Sequence, residues 1–319
     1  MTTVSERPRF AVVIPFYQDT PGILRRALHS VAAQDVDAEI RVYVVDDASP
    51  VAAHEELEGL AMPANVSVVL LRQENGGPGA ARNTGLSHAV SADFIAFLDS
   101  DDEWYPHHLS AAAAAMAVGA DYYTSDLEDL DGERYHRRFF SDLLPLSSVE
   151  GLPWAGWLTS PLVQFTIHRP ISHLSALVVR RSLLGDARFD PTLRTAGEDA
   201  VFTTTLALRG PGVIVSRRVD VRRGRGINIF SVGGWGSAEC FQRQKDYLRS
   251  RYMIRGLLGR RQSGRIGGIV KEAERGFVAS ALASYRRGGV GLMGFIAIFL
   301  RFPRVLAVAP GVLYKALTR

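Results

Sequence analysis

Runs of consecutive apolar residues alternate with helix-like segments through the first 125 residues. Four of these runs are rich in β-branched side chains: residues 10–15, 40–45, 66–71 and 94–98. Between the first two, Leu24, Leu28 and Val31 recur at helical spacing. Strands that are apolar on both faces and alternate with helices are typical of a parallel sheet. The pattern therefore predicts an α/β fold with a mostly parallel central sheet and helices on both faces.

Acidic residues follow the second and fourth of these strands directly. Asp46 and Asp47 come after one, and Asp99, Asp101 and Asp102 come after the other. Because ligands bind beyond the carboxyl ends of parallel strands, we expect these carboxylates to converge in one crevice. Like charges this close repel unless a cation neutralises them, and oxygen ligands suit Mg²⁺ or Mn²⁺. A solvated acidic turn is the alternative interpretation.

The second half of the chain has a less regular pattern. Residues 126–170 are rich in charged, aromatic and proline residues, and we expect an insertion over the site. Trp154 and Trp157 in it either form a sugar-stacking platform or pack in the ordinary way. Short strands are expected at 176–179, 212–215 and 219–222, and helices at 200–209, 235–258 and 265–285.

Charge is divided unevenly along the chain. The net charge is +4, but residues 1–200 contain 15 Lys or Arg against 28 Asp or Glu, whereas residues 201–319 contain 22 against 5. This asymmetry predicts an anionic partner for the C-terminal part: nucleic acid, anionic lipid or a phosphorylated substrate. A nucleic-acid-binding module is disfavoured because the acidic cleft would repel phosphates in the absence of a metal and no recognition motif is present.

The composition also indicates a compartment. Cys240 is the single cysteine, which excludes an internal disulfide and fits a reducing environment. The sequence shows no signal-peptide pattern and no run of about 18 uncharged apolar residues. We therefore expect a cytoplasmic protein whose basic C-terminal helices, at 226–319, lie peripherally on the anionic inner face of the cell membrane. The alternative is that these helices pack on the catalytic domain.

The glycine-rich loop before residue 86 does not match a dinucleotide-binding fingerprint. Gly77 and Gly79 are followed by Arg82 where a third glycine belongs, and the loop comes after the acids at 46–47. From the acids alone, a phosphate-handling hydrolase or a nucleotidyltransferase of similar α/β architecture remains an alternative.

Five blocks in order resemble a family 2 glycosyltransferase of the GT-A fold, over roughly residues 10–225. They are Val12–Tyr17 (VVIPFY), Val45–Ser49 (VDDAS), Asn75–Asn83 (NGGPGAARN), Phe97–Trp104 (FLDSDDEW) and Glu198–Asp199. The resemblance implies a GT-A catalytic domain at 1–225, with nucleotide-sugar binding at about 10–125 and an acceptor and base region at about 165–225. A basic helical region would follow at 226–319.

The resemblance also implies roles for individual residues around the nucleotide-sugar donor. Pro15 and Tyr17 would line the base pocket, and Asp46 or Asp47 would hydrogen-bond the uracil or ribose. Arg82 would reach the base or phosphates. Asp99 would hold the ribose and nearby donor hydroxyls, and Ser100 would also belong to the donor nucleotide-binding site.

For the reaction itself, the resemblance implies Asp101 as the ligand of a Mn²⁺ or Mg²⁺ ion and Asp199 as the general base. A single base with in-line attack inverts the anomeric centre. The implied activity is transfer from a UDP-sugar to a glycan or lipid-linked glycan in cell-surface or exported polysaccharide synthesis. Further candidates for acceptor or phosphate contacts are Glu198, His173, Trp104, Arg223 and Arg225. His168 is expected to be structural.

Overall fold

In a computed structural model of the chain, the residues described are 7–167, 170–171, 173–227, 233–259 and 263–317. They form two compact units. The first takes its residues from 1–189 and 205–227, and the second from 190–204 and 228–319. The predicted boundary at residue 225 had assigned 190–204 to the catalytic part, whereas in the structure this segment groups with the C-terminal helices.

The first unit is built on a ten-stranded sheet. Its strands are β1 Arg9–Phe16, β2 Glu39–Asp46, β3 Val66–Arg72, β4 Phe94–Phe97, β5 Glu103–Trp104, β6 Tyr122–Glu128, β7 Leu146–Ser148, β8 Ala155–Leu158, β9 Val178–Arg180 and β10 Val213–Arg222. The order is β3-β2-β1-β4-β9-β6-β10-β8-β7, with β5 paired to β10. The pairs β1–β2, β2–β3, β1–β4 and β6–β10 are parallel, and β9 is antiparallel to both of its neighbours. The predicted α/β class is confirmed.

Helices connect these strands. They are α1 Ile23–Ala32, α2 Ala53–Leu57, α3 Pro78–His88, α4 His108–Ala117, α5 Tyr135–Phe140, α6 Val163–Ile167, α7 Arg181–Leu184 and α8 Glu198–Ala207, with a 3₁₀ turn at Leu174–Ala176. Val12 lies in one core cluster with Leu28 of α1 and Leu109 of α4. On the opposite face, a Cβ on Gly85 of α3 would lie 2.6 Å from Val13, so glycine lets α3 approach the sheet. Helices therefore cover both faces, as predicted.

Two expectations for the middle of the chain are wrong. Residues 126–170 are not a separate insertion, because β8 pairs with β10 and β7 with β8, which extends the sheet. The strands expected at 212–215 and 219–222 are one strand, β10, whose register against β6 shifts between Val215 and Val219. The polar residues at 216–218 that interrupt the apolar pattern are this bulge.

The second unit is helical. It contains α9 Ala238–Leu257, α10 Gly267–Arg286, α11 Leu292–Arg301 and α12 Ala309–Leu317, with 3₁₀ turns at Ser263–Ile266 and Pro303–Ala307. Its core centres on Phe277 of α10, whose ring stacks on Phe241 at 5.4 Å and meets the edge of Phe302 at 5.2 Å. Among the helices of the described ranges, we find none with the length and hydropathy needed to span a bilayer.

Candidate active site

The loop after β4 carries the acidic cluster and is held by hydrogen bonds from distant parts of the chain. The Asp99 amide donates to Ser175 Oγ at 3.1 Å, and that hydroxyl donates to Asp102 Oδ2 at 2.6 Å. The Gly224 amide donates to Asp102 Oδ1 at 3.0 Å. Asp102 is 2% exposed, so it is the structural anchor of the loop. Burial raises the pKa of Asp102, although the positive charge of His173 opposes this.

Asp99, which is partly buried, forms an ion pair with the buried Arg82 of α3. Arg82 Nη2 lies 2.7 Å from Asp99 Oδ1, and the guanidinium carbon lies 5.3 Å from the centre of the Phe189 ring. Burial disfavours the charged form of Asp99, but the positive charges around it, above all that of Arg82, hold the pKa of this carboxyl below its ordinary value. Asp99 is therefore a fixed anion at the end of β4.

Asp101 lies against the glycines of residues 222–226. A Cβ on Gly224 would be 1.6 Å from the Asp101 carbonyl oxygen, and one on Gly226 would be 2.8 Å from Asp101 Oδ2. Burial and the negative charges of Asp102 and Asp99 raise the pKa of Asp101 to about 7. A cation would relieve this repulsion. Sequence reasoning had noted only the arginines of this segment, whereas the close approach depends on its glycines.

One group of side chains in the described ranges has the geometry of a metal site. Asp99, Asp102 and His173 each offer a ligand atom, and these atoms all lie within 4.8 Å of one another. His173 Nδ1 is 3.6 Å from Asp102 Oδ2. Carboxylates with an imidazole fit a divalent transition metal such as Mn²⁺. Asp101, which the sequence had singled out, is not one of the three but neighbours Asp102 in the same loop.

Asp46 and Asp47 order the loops at the ends of β2 and β3. Asp46 Oδ1 accepts the Ser49 amide at 2.8 Å. Asp47 Oδ1 accepts the Gly76 amide at 2.7 Å and Asp47 Oδ2 accepts the Gly77 amide at 2.8 Å. Both aspartates are 3% exposed. These bonds set the glycine loop at the start of α3, which carries Arg82.

Gln18 connects three loops at this edge of the sheet by hydrogen bonds. The sequence pattern did not indicate this role. Its side-chain Nε2 donates to Ser100 Oγ at 3.1 Å, and its side-chain Oε1 accepts from the backbone amide of Ile227 at 2.8 Å. The backbone amide of Gln18 donates to Ser49 Oγ at 2.8 Å. The sequence feature that could have identified Gln18 is its position, since it is a polar residue two positions after a buried strand. The neighbouring Tyr17 is exposed and Pro15 is half-buried, so both remain available to a ligand.

The other candidates occupy different environments. Trp104 is 4% exposed and its indole donates to the Ser175 carbonyl at 2.6 Å, so its N–H is already occupied and the acceptor or phosphate contact stays a prediction. Arg223 pairs with Asp129 at 3.3 Å, and Arg225 is exposed. His168 lies outside the described residues. Trp154 and Trp157 pack against the core, which favours the ordinary packing role for both.

Glu198 and Asp199 open α8 and belong to the second unit. Glu198 is buried, whereas Asp199 is exposed, with Oδ1 accepting the Ala200 amide at 2.7 Å. An electrostatic attraction links Asp199 to the buried Arg251 of α9. Gly197, with φ of 87°, lies so near α9 that a Cβ would be 2.3 Å from Ser250 Oγ.

The segment before Asp199 is held by Asp246 of α9, which the sequence did not indicate. Asp246 is fully buried, and its Oδ2 accepts the amides of Arg194 and Thr195, both at 3.2 Å, and the Thr195 hydroxyl at 2.9 Å. Its Oδ1 accepts the Gln242 side-chain amide at 2.9 Å. An exposed carboxylate is thus presented from an anchored turn.

Comparisons of the sequence with known proteins find a family and several relatives. The model of "Glycosyl transferase family 2" matches residues 11–184. The succinoglycan biosynthesis protein ExoW of Rhizobium meliloti is 40% identical over 227 residues, which cover 70% of each chain. The poly(ribitol-phosphate) beta-N-acetylglucosaminyltransferase TarS of Staphylococcus aureus is 29% identical over 200 residues, or 61% of this chain and 32% of that protein.

Solved structures show the same fold. The structure of TarS residues 1–349 in complex with UDP-GlcNAc has a TM-score of 0.55 at 20% identity and covers 88% of both chains. The mannosyltransferase PcManGT of Pyrobaculum calidifontis, in complex with GDP-Man and Mn²⁺, has a TM-score of 0.57 at 18% identity and covers 98% of this chain and 84% of that one. The GT-A fold expected from the sequence is confirmed.

Proposed function

Since the chain belongs to glycosyl transferase family 2, we propose that it transfers a sugar, with inversion, from a UDP-sugar to a hydroxyl of a growing cell-surface or exported polysaccharide. The observation that carries this is the acidic loop after β4, with Asp99 paired to Arg82 at 2.7 Å at the carboxyl end of a parallel sheet. The name of ExoW, a succinoglycan biosynthesis protein, supports the polysaccharide product, and the UDP-GlcNAc complex of TarS supports the donor.

The donor nucleotide lies, in this proposal, over the ends of β1, β2 and β4. The exposed ring of Tyr17 and the half-buried Pro15 contact the base. Asp99, with Ser100 beside it, accepts hydrogen bonds from donor hydroxyls, while Arg82 keeps its carboxylate ionised and oriented. Asp46 and Asp47 act mainly by shaping the loops, because their oxygens already accept backbone amides.

The acidic loop would also hold a divalent cation, Mn²⁺ or Mg²⁺, through Asp101 together with oxygens of Asp99 or Asp102 and the imidazole of His173. Bound there, the ion would supply positive charge that stabilises the leaving diphosphate. The raised pKa of Asp101 supports this assignment, because crowded carboxylates are the local feature that a cation neutralises. Arg223, and the exposed Arg225 near it, add positive charge beside the phosphates.

Asp199 acts as the general base. Its Oδ1 is occupied by the Ala200 amide, so we assign Oδ2 to take the proton of the acceptor hydroxyl. The acceptor oxygen bonds to the anomeric carbon as the bond from that carbon to the diphosphate oxygen breaks, and the electron pair leaves with the diphosphate. Attack from the face opposite the leaving group inverts the configuration. Glu198 and His173 remain candidates for acceptor contacts.

The acceptor is a glycan or lipid-linked glycan, and the protein works in the cytoplasm at the inner face of the cell membrane. The excess of 22 Lys or Arg over 5 Asp or Glu in residues 201–319 supports attraction to an anionic membrane. It equally fits attraction to an acceptor that carries phosphate.

The decisive experiment is a donor screen on the full chain. We expect the melting temperature to rise with a UDP-sugar in the presence of Mn²⁺ and to rise less after chelation with EDTA, and less with GDP- or dTDP-sugars. Absence of any shift with all nucleotide sugars and metal would contradict the proposal.

A second experiment separates sugar transfer from phosphate chemistry. Asp199→Asn should abolish transfer while UDP-sugar binding stays within about twofold, and product NMR should show the inverted anomer. A hydrolase or nucleotidyltransferase centred on Asp99 would lose no activity with this variant, and retention of configuration would refute the single-base mechanism.

A further inference from the structure

Helix α11 is apolar on its exposed side as well as on its packed side. At 100° per residue, Phe295, Ile298 and Phe299 fall within one sector, and these pack into the core of the second unit. The opposite sector carries Met293, which is 79% exposed, and two further apolar side chains: Ile296, 46% exposed, and Leu300, 79% exposed. A helix on a water-facing surface ordinarily presents polar residues there. This outer sector is therefore a candidate interaction surface.

The stretch of sequence that carries this surface has charges of one sign. From Arg275 to the last residue, the sequence contains seven Lys or Arg and no Asp or Glu. Arg301, the last residue of α11, is exposed and falls at the border of the apolar sector. The 3₁₀ turn that follows adds Leu306, which is 55% exposed, and the next helix adds Tyr314, which is 69% exposed.

We propose that the outer face of α11, defined by Met293, Ile296 and Leu300, inserts into the interfacial layer of an anionic lipid bilayer. The inference rests on the membrane association proposed above and names the surface that makes it. Apolar side chains bordered by arginine, on a segment without acidic residues, match the requirements of an interfacial helix. A surface for a basic or neutral protein partner could contain Asp or Glu, so the absence of acidic residues favours an anionic membrane over such a partner.

The length of the helix fixes the mode of contact. α11 has 10 residues, which at 1.5 Å per residue is about 15 Å, half of the ~30 Å hydrocarbon thickness. Its inner sector is committed to Phe277 and the other core residues of the second unit. The helix can therefore lie along the membrane surface but cannot cross it, with Leu300 and Met293 reaching the acyl boundary.

The test is co-sedimentation of the full-length protein with vesicles of phosphatidylcholine alone or with about 30% phosphatidylglycerol. We expect binding to the anionic vesicles only. The double variant Met293→Ser/Leu300→Ser should bind at least about 30-fold more weakly, because each loses several inserted apolar groups. Arg301→Gln should weaken binding about fivefold at low salt and less at high salt.

The matched control is Val90→Ser/Leu143→Ser, which removes two apolar side chains of the first unit that are 69% and 81% exposed. It should bind vesicles like the unmodified protein. Equal vesicle binding by the α11 variant, or no binding by the unmodified protein, would overturn the inference. A dimer in sedimentation velocity that the α11 variant dissociates, without vesicle binding, would also overturn it, since a second copy would then cover the face.

This result can be told apart from failure of the sugar-transfer proposal. The α11 side chains lie in none of the donor, metal or base contacts, so the melting-temperature shift with UDP-sugar and Mn²⁺ should be unchanged in the double variant. If vesicle binding fails while the donor shift persists, only the membrane surface is wrong. If vesicle binding persists without any donor shift, the membrane surface stands and the catalytic assignment falls.

Discussion

Asp246 of α9 is expected to control the rate of sugar transfer without touching a substrate. Its carboxylate is fully buried and accepts four hydrogen bonds, three of them from Arg194 and Thr195, just before the turn that leads to Asp199. Asp246→Ala removes the acceptor from these donors, which belong to exposed or partly buried residues. At about 1–3 kcal/mol for each unsatisfied donor, partly relieved by water, we expect a loss of about 3–5 kcal/mol in the free energy of unfolding.

Two milder variants keep the experiment informative if the alanine variant does not fold. Asp246→Asn keeps the shape and one acceptor oxygen, so we expect a loss of about 1–2 kcal/mol. Thr195→Val removes only the hydroxyl bond and should cost about 1 kcal/mol. In both, Asp199 is held less firmly, and a misplaced base lowers kcat. We expect kcat to fall about tenfold or more for Asp246→Asn, with the KM for UDP-sugar little changed.

The assay combines urea unfolding with initial rates over a range of donor concentrations. The control is Thr192→Val, because Thr192 is an exposed threonine of the same segment that contacts α9 through Arg249 at 2.8 Å. It should change stability by less than about 0.5 kcal/mol and leave kcat unchanged. Unchanged kcat in Asp246→Asn despite the loss of stability would refute the positioning role. Parallel losses in donor binding and kcat would indicate general damage instead.

Three further predictions follow from the first unit. Gly224→Ala should abolish metal-dependent UDP-sugar binding in calorimetry, because a Cβ there would lie 1.6 Å from the Asp101 carbonyl oxygen, whereas Gly234→Ala, with open space around its Cβ, should bind normally. Arg82→Gln should weaken donor binding at least tenfold and destabilise the fold by about 1.5–3 kcal/mol in urea unfolding, because the partly buried carboxylate of Asp99 loses a charged hydrogen-bond partner. Burial opposes ionisation of Asp220, yet hydrogen bonds from His107 and Tyr123, together with the nearby imidazole of His108, keep its pKa below the ordinary value. The stability that the Asp220 carboxylate contributes is therefore present above pH of about 4 and is lost as pH falls through its folded-state pKa. In acid unfolding experiments, the difference in stability between the unmodified protein and Asp220→Asn should shrink as pH falls. A difference that stays constant with pH would contradict this prediction.

The parallel half of the sheet was predictable because its information is local. β1 to β4 are runs of consecutive apolar residues, and such a run can be recognised from its own sequence, even in β3, which lies at the edge of the sheet and is only partly buried. The short strands β5, β7 and β8 carry no such signal, since each becomes a strand only by pairing with a neighbour that lies far away in the sequence. Their positions required the tertiary structure.

The same division holds for the acidic loop. Eight consecutive residues, Phe97–Trp104, are enough to predict that Asp99, Asp101 and Asp102 follow a buried strand and that their negative charge needs compensation. The role of each carboxylate depends on partners that are distant in sequence. Asp102 anchors the loop because it accepts hydrogen bonds from Ser175, 73 positions away, and from Gly224, 122 positions away. Hydrogen bonds and desolvation depend on distances in space, so spacing along the chain placed the cluster but only folding assigned each carboxylate its environment.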